Sequence, residues 1–171
     1  GGARPGRTSQ CAAAGGSGPG AHRARSVVAA VGEGVTSLKV GDRVAYPAMK
    51  STYATHVTGP ADRMGKIPDG VSEDAAAAIM MKAMTAWMLL FEIKRVMPGD
   101  KVLVWAAAGG VGTILVPWAK ALGAEVIGVV STEDKAQRVL ANGADAVILS
   151  STDVAAEVRA LTGGKGVDIS L

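Results

Sequence analysis

Gly109, Gly110 and Gly112 lie between the apolar run KVLVWA and the amphipathic run VGTILVPWAKALG. With Ala107 in the first position, the stretch AAGGVG has the spacing of G-x-G-x-x-G. What such a turn offers is backbone chemistry. It ends a strand and opens a helix whose first N–H groups lack intrahelical partners. Those groups, at the positive end of the helix dipole, suit a diphosphate. Gly109 or Gly110 lets the backbone approach the phosphates with no Cβ in the way, and Gly112 lets the helix pack closely on the strand. Turns of this composition also occur for packing alone; the strand–helix units that follow favour nucleotide binding.

The choice of nucleotide is made at the tip of the next strand, AEVIGVV. An acid there, about 20 residues past the turn, accepts the ribose hydroxyls of NAD. Here that slot holds Val130, followed by Ser131, with Lys135 one helical turn on. A hydroxyl and a cation favour the 2′-phosphate of NADP. Glu133 and Asp134 keep a second reading open, in which Lys135 pairs with one of them on a solvated face.

The elements that must position these residues alternate. KVLVWA, AEVIGVV and DAVILS read as apolar strands. VGTILVPWAKALG, TEDKAQRVLANG and STDVAAEVRALTGG read as helices, with Val111, Ile114, Leu115, Trp118 and Leu122 on one side of the first. VDISL begins a fourth strand. Three strand–helix units in a row predict an α/β fold with a parallel, doubly wound sheet in the order 3-2-1-4. Pro117, inside the first helix, is expected to bend it.

Upstream the pattern is different. SVVAAVG, the end of GVTSLKVGDRVAY, and STYATHVTG read as strands around a turn at Val40-Gly41-Asp42. Ser72 is a good N-cap for a helix over AAAAIMMKAMTAWMLLFEI, with Met80, Met84, Trp87, Leu90 and Phe91 sharing a face. Residues 1–26 are rich in glycine and show neither period; they read as a low-complexity, disordered tail. The expected organisation is thus a tail at 1–26, a partial β domain at 27–71 and a partial dinucleotide-binding domain with a leading helix at 72–171.

Composition narrows the function. The chain has 171 residues and a net charge of +3. Arg4, Arg7, Arg23 and Arg25 all fall in the tail, which holds no acid, so the remainder is near neutral and nucleic acid is not an expected partner. The single cysteine, Cys11, permits no internal disulfide and fits a cytoplasmic protein. No unbroken run of about 18 apolar residues occurs, so no membrane partner is expected. Cys11, His22 and His56 do not form a zinc-ligand pattern, and no metal is expected.

VVAAVGEGVTSLKVGDRVAY, AAAAIMMKAMTAWMLL and AAAGGVGTILVPWAKALGAEVIGVVSTEDKA together resemble the zinc-independent quinone oxidoreductases (zeta-crystallin-like) of the medium-chain dehydrogenase/reductase superfamily. The resemblance runs from about Val27 to the end of the chain. It implies a GroES-like β domain joined to a Rossmann domain, NADPH as cofactor, a quinone or enone as small-molecule substrate, and a homodimer in the complete protein. It places Gly110 and Val111 against the cofactor diphosphate and Ser131 and Lys135 at the 2′-phosphate. Thr85 and Met88 match positions near the nicotinamide. Ser150 stands where some relatives carry a tyrosine beside the adenosine. Ala83 replaces a usual glycine, and Trp105 a common histidine.

The resemblance also implies an incomplete member, lacking the family's opening segment and closing strands, and hence a chain poorly stable and inactive by itself. A shifted reading frame is one origin for residues 1–26. No catalytic residue is assigned: Tyr46 and Tyr53 fit structural strand positions better than an acid's role. Rival readings are an enoyl or alkenal reductase of the same superfamily, a nucleotide-binding protein without turnover, and an inactive fragment.

Overall fold

A computed structural model describes residues 10–15, 23–47 and 55–171, with side chains from Ser26 onward. The chain divides into two compact units, Gly1–Met81 and Lys82–Leu171. The division falls inside a helix, where the sequence reading set the boundary ahead of it, at 71/72.

The first unit is built on an antiparallel sheet of β1 (Gln10–Gly15), β2 (Arg23–Val31), β3 (Arg43–Pro47), β4 (His56–Pro60) and β5 (Gly65–Lys66). Its order is β4-β1-β2-β3-β5. The turn before β3 forms as expected: Gly41 takes φ 90°, a left-handed conformation that suits glycine. Val28, Leu38, Val44, Tyr46, Val57, Ala61 and Met64 make the core. Tyr46 is buried there with its hydroxyl 2.9 Å from Ser26 Oγ, a structural role as anticipated.

The tail expectation needs correction at two places. Gln10–Gly15 pairs with both β2 and β4, from Cys11 opposite Val31 to Gly15 opposite Ser26, with an irregularity between Ala12 and Ala13. Arg23–Arg25 extend β2 ahead of the point where apolar residues begin. Sheet pairing uses backbone N–H and C=O groups, which glycine and alanine supply as well as any residue, so a test of apolar content does not see it. The rest of the tail, with Arg4, Arg7 and His22, lies outside the described residues, as do Tyr53 and the start of the expected STYATHVTG strand.

Helix α1 (Glu73–Trp87) starts at Ser72, whose Oγ accepts from the Ala75 amide at 3.1 Å. It passes into a π-helical segment, Met88–Ile93. The expected face is not buried as one: Leu90 is fully enclosed, but Met84 and Trp87 are 50% and 48% exposed. The π-helical segment begins only after Trp87, and the Trp87 and Phe91 rings still stack with centroids 6.4 Å apart, so that part of the stripe holds together while Met84 and Trp87 stay exposed. Glu73–Ile93 has a mean hydropathy of 1.5 over its best window. By length and composition it can cross a membrane, a test the expectation of no apolar run had passed over; core helices of soluble proteins meet the same criterion.

The second unit holds β6 (Lys101–Val104), α2 (Gly112–Ala121), β7 (Glu125–Val130), α3 (Glu133–Ala141), β8 (Ala146–Leu149), α4 (Val154–Leu161) and β9 (Ile169–Ser170). All strand pairs are parallel, in the order β8-β7-β6-β9, which is the expected 3-2-1-4. Val102, Leu103 and Val104 of β6, and the five residues 126–130 of β7, are buried, as sheets covered on both faces require. Leu115, Val116 and Ala119 of α2 pack on the sheet, with Val111, Ile114, Trp118 and Leu122 half-buried beside them. Thr132 caps α3 through the Lys135 amide, and Asp153 caps α4 through the amides of Ala155 and Ala156.

Candidate dinucleotide site

The strand before the glycines stops at Val104, one residue before Trp105, and α2 begins at Gly112. Between them the chain makes a tight bend. Ala106 takes φ 49°, a left-handed conformation unusual for a residue with a side chain, and its carbonyl accepts from the Gly109 amide at 2.7 Å. Ala107 is fully buried, and its amide donates to the carbonyl of Val129 on β7 at 3.1 Å.

The glycines divide the work. A Cβ on Gly112 would lie 2.4 Å from the carbonyl oxygen of Ala107, so only glycine lets α2 start this close to the bend. Gly128 does the same from β7: a Cβ there would meet Val139 Cγ1 at 2.8 Å and the Ala107 Cβ at 3.0 Å. These two glycines seat the bend on the sheet. Gly109 and Gly110 are exposed. At the N-terminus of α2, Val111 supplies no side-chain cap. The amides of Gly110 and Val111 donate to no acceptor among the described residues. A bare, uncapped helix start of this kind suits an anion.

A cleft of about 390 Å³ opens beside the bend. Trp105, Ala106, Ala108 and Gly109 form one side, and Val130, Ser131, Lys135 and Ser150 the other. Lys135 Nζ donates to Ser131 Oγ at 2.9 Å, which joins cation and hydroxyl at the tip of β7. Lys135 pairs with neither Glu133 nor Asp134, so the solvated-pair alternative does not hold among the described residues. Those acids sit in the first turn of α3, where they face the positive end of its dipole. No carboxylate lines the cleft. Ser150 is exposed at its edge, anchored by its amide to the Val130 carbonyl at 2.8 Å.

Gly109, Ser131, Lys135 and Ser150 are therefore brought together, with Gly110, Val111 and Gly112 at the adjoining helix start. Thr85 and Met88 are not among the residues lining this cleft. Thr85 is half-buried in the last turns of α1, and Met88 is exposed on the π-helical segment. Sequence reasoning passed over Trp105 as a lining residue. Its ring is half exposed, and its Nε1 donates to Ser170 Oγ at 3.2 Å. Ala106 was missed as well, since left-handed alanine carries no signal in the residue type. Among the described residues no group of three or more His, Cys, Asp or Glu could hold a metal ion.

A parallel sheet in this order, a glycine bend at the end of its first strand, and a cation–hydroxyl pair at the tip of its second define a Rossmann-type dinucleotide-binding unit. Known proteins agree. Residues 110–171 match the family described as zinc-binding dehydrogenase. The chain is 47% identical over 151 residues to a 2-haloacrylate reductase of a Burkholderia species, covering 85% of this chain and 45% of the relative. It is 40% identical over 148 residues to quinone oxidoreductase 1 of Escherichia coli, with the same coverage. Among solved structures, quinone oxidoreductase of Pseudomonas syringae superposes with a TM-score of 0.79 at 44% identity, over 86% of this chain and 46% of that one. The E. coli quinone oxidoreductase complexed with NADPH gives 0.79 at 34% identity, over 93% and 55%. The chain thus spans about half the length of these relatives. Over that shared half it is similar to quinone oxidoreductases and to a 2-haloacrylate reductase.

Proposed function

We propose that this chain carries the NADPH site of a reductase that delivers hydride to a quinone. The observation that carries the reading is the Lys135–Ser131 pair facing a cleft without a carboxylate. A 2′-phosphate is a dianion, and an ammonium with a hydroxyl beside it binds one well. An acid in that place would repel it and favour NAD instead. At the other end the bend offers uncapped amides at Gly110 and Val111, which suit a diphosphate.

Bound there, NADPH supplies the hydride. The chain's own residues bind and orient. The amides of Gly110 and Val111 hold the diphosphate, with Gly109 giving the approach and Gly112 fixing the helix start. Ser131 and Lys135 hold the 2′-phosphate, with Ser150 beside the adenosine. Thr85 and Met88 are assigned to the nicotinamide end. Such a protein accelerates the reaction by orientation and exclusion of water, without a covalent step. A cytoplasmic homodimer is the proposed state of the complete protein.

A second reading has its own support. The 47% identical relative is named a 2-haloacrylate reductase, so an electron-poor alkene is the alternative acceptor. Titration of the chain with NADPH and NADH, read by cofactor fluorescence, tests the site. NADPH should bind at least about tenfold tighter, the size of one charge-assisted contact. Equal affinities would sink the proposal. A panel of quinones against 2-haloacrylate and enones, run on a full-length relative, then separates the two acceptors, and binding without turnover in that protein would favour a non-catalytic nucleotide-binding role.

A further inference from the structure

Gly110 lies under a lysine. A Cβ built on it would stand 2.9 Å from Cε of Lys82 and 3.3 Å from its Nζ. Both residues belong to the second unit. Lys82 reaches the bend from α1, far away in sequence, and it is half-buried. It makes no ion pair and donates no side-chain hydrogen bond among the described residues. Its ammonium therefore lies beside Gly110, just ahead of α2, with no protein anion paired to it among the described residues.

We infer that Lys82 is a cofactor-binding residue that supplies the cation for the diphosphate of NADPH, and that Gly110 is glycine to give its side chain room. The inference rests on the NADPH reading above and deepens it. Two bare amides and a helix dipole offer only partial positive charge. A diphosphate linker carries two full negative charges, and a lysine ammonium compensates one of them as a mobile point charge. A bound anion would give this ammonium a partner. The arrangement also separates two cationic contacts along one ligand: Lys135 for the 2′-phosphate and Lys82 for the diphosphate.

The test uses two probes on the 171-residue chain. NADPH carries both phosphate groups; adenosine 2′-monophosphate carries only the one assigned to Ser131 and Lys135. Lys82→Met should weaken NADPH about tenfold or more and leave adenosine 2′-monophosphate binding unchanged, while Lys82→Arg stays within about threefold of wild type for both. Retained binding of the small probe also shows that the variant folds. NADPH affinity in Lys82→Met within about twofold of wild type would overturn the role of Lys82 alone. So would an equal loss of both ligands, which marks a packing role. Wild-type chain that binds neither probe would overturn the NADPH reading together with it.

Discussion

The carbonyl oxygen of Thr113 accepts from the side-chain amide of Asn142, at 3.0 Å. Its helical donor would be the N–H four residues on, but that residue is Pro117. Asn142, the C-cap of α3, supplies the missing donor and ties α3 to α2 where the proline leaves a gap. Asn142→Ala should cost about 1 kcal/mol in urea unfolding. In a Pro117→Ala background the helix regains its own N–H, and the cost should largely vanish. A double-mutant cycle across the four chains measures this; equal costs in both backgrounds would refute the compensation.

Gly112 and Gly110 should respond oppositely to the same substitution. Gly112→Ala drives a methyl group into the Ala107 backbone, which cannot yield without moving the bend. A loss of about 1–3 kcal/mol or more is expected. Gly110→Ala meets only the end of a lysine side chain, so its stability should stay within about 1 kcal/mol of wild type. Denaturation midpoints decide, and a Gly112→Ala chain as stable as wild type would contradict the packing role.

Removal of the Lys135 ammonium isolates the 2′-phosphate. Lys135→Ala should weaken NADPH about tenfold or more, the worth of a charge-assisted hydrogen bond, and leave NADH affinity as it was. Added salt should narrow the gap between variant and wild type, since this lysine is exposed. Fluorescence titrations at two ionic strengths provide the measurement. Parallel losses for both cofactors would show that Lys135 does not read the phosphate.

Asp145 links the same layers electrostatically. Burial opposes its ionisation, but the Lys120 ammonium, 2.8 Å from both carboxylate oxygens, and the Val126 amide outweigh it and hold the carboxyl below its ordinary range. A depressed folded-state value gives stability that is whole above the unfolded value near pH 4 and is lost as pH falls through the folded value. Asp145→Asn should therefore cost on the order of 1 kcal/mol at pH 7, reduced by solvent screening. The difference from wild type should shrink below about pH 4. A difference that stays constant from pH 7 to pH 3 would remove the carboxylate from the explanation.

Local patterns made most of the second unit legible. The apolar runs KVLVWA and AEVIGVV, the caps Thr132 and Asp153, and the glycine spacing at 109–112 are signals carried within a few residues, and each yields its element. The 3-2-1-4 order follows from the alternation of strand and helix. The first unit was harder to read. The strand at Gln10–Gly15 pairs through its backbone, so no side-chain period announces it, and the stripe expected on α1 is not buried along its length, since Met84 and Trp87 are exposed while Leu90 is enclosed.

The sequence by itself determined that a bare helix start would follow the first strand and that Ser131 and Lys135, not an acid, would stand at the tip of the second. Both depend on residue type at short range. Only the tertiary structure decided that Lys82 lies over Gly110, that Trp105 and Ala106 line the cleft, and that Asn142 satisfies Thr113. Those relationships join distant parts of the chain through space and turn on ångström-scale packing. No spacing within a single element encodes them.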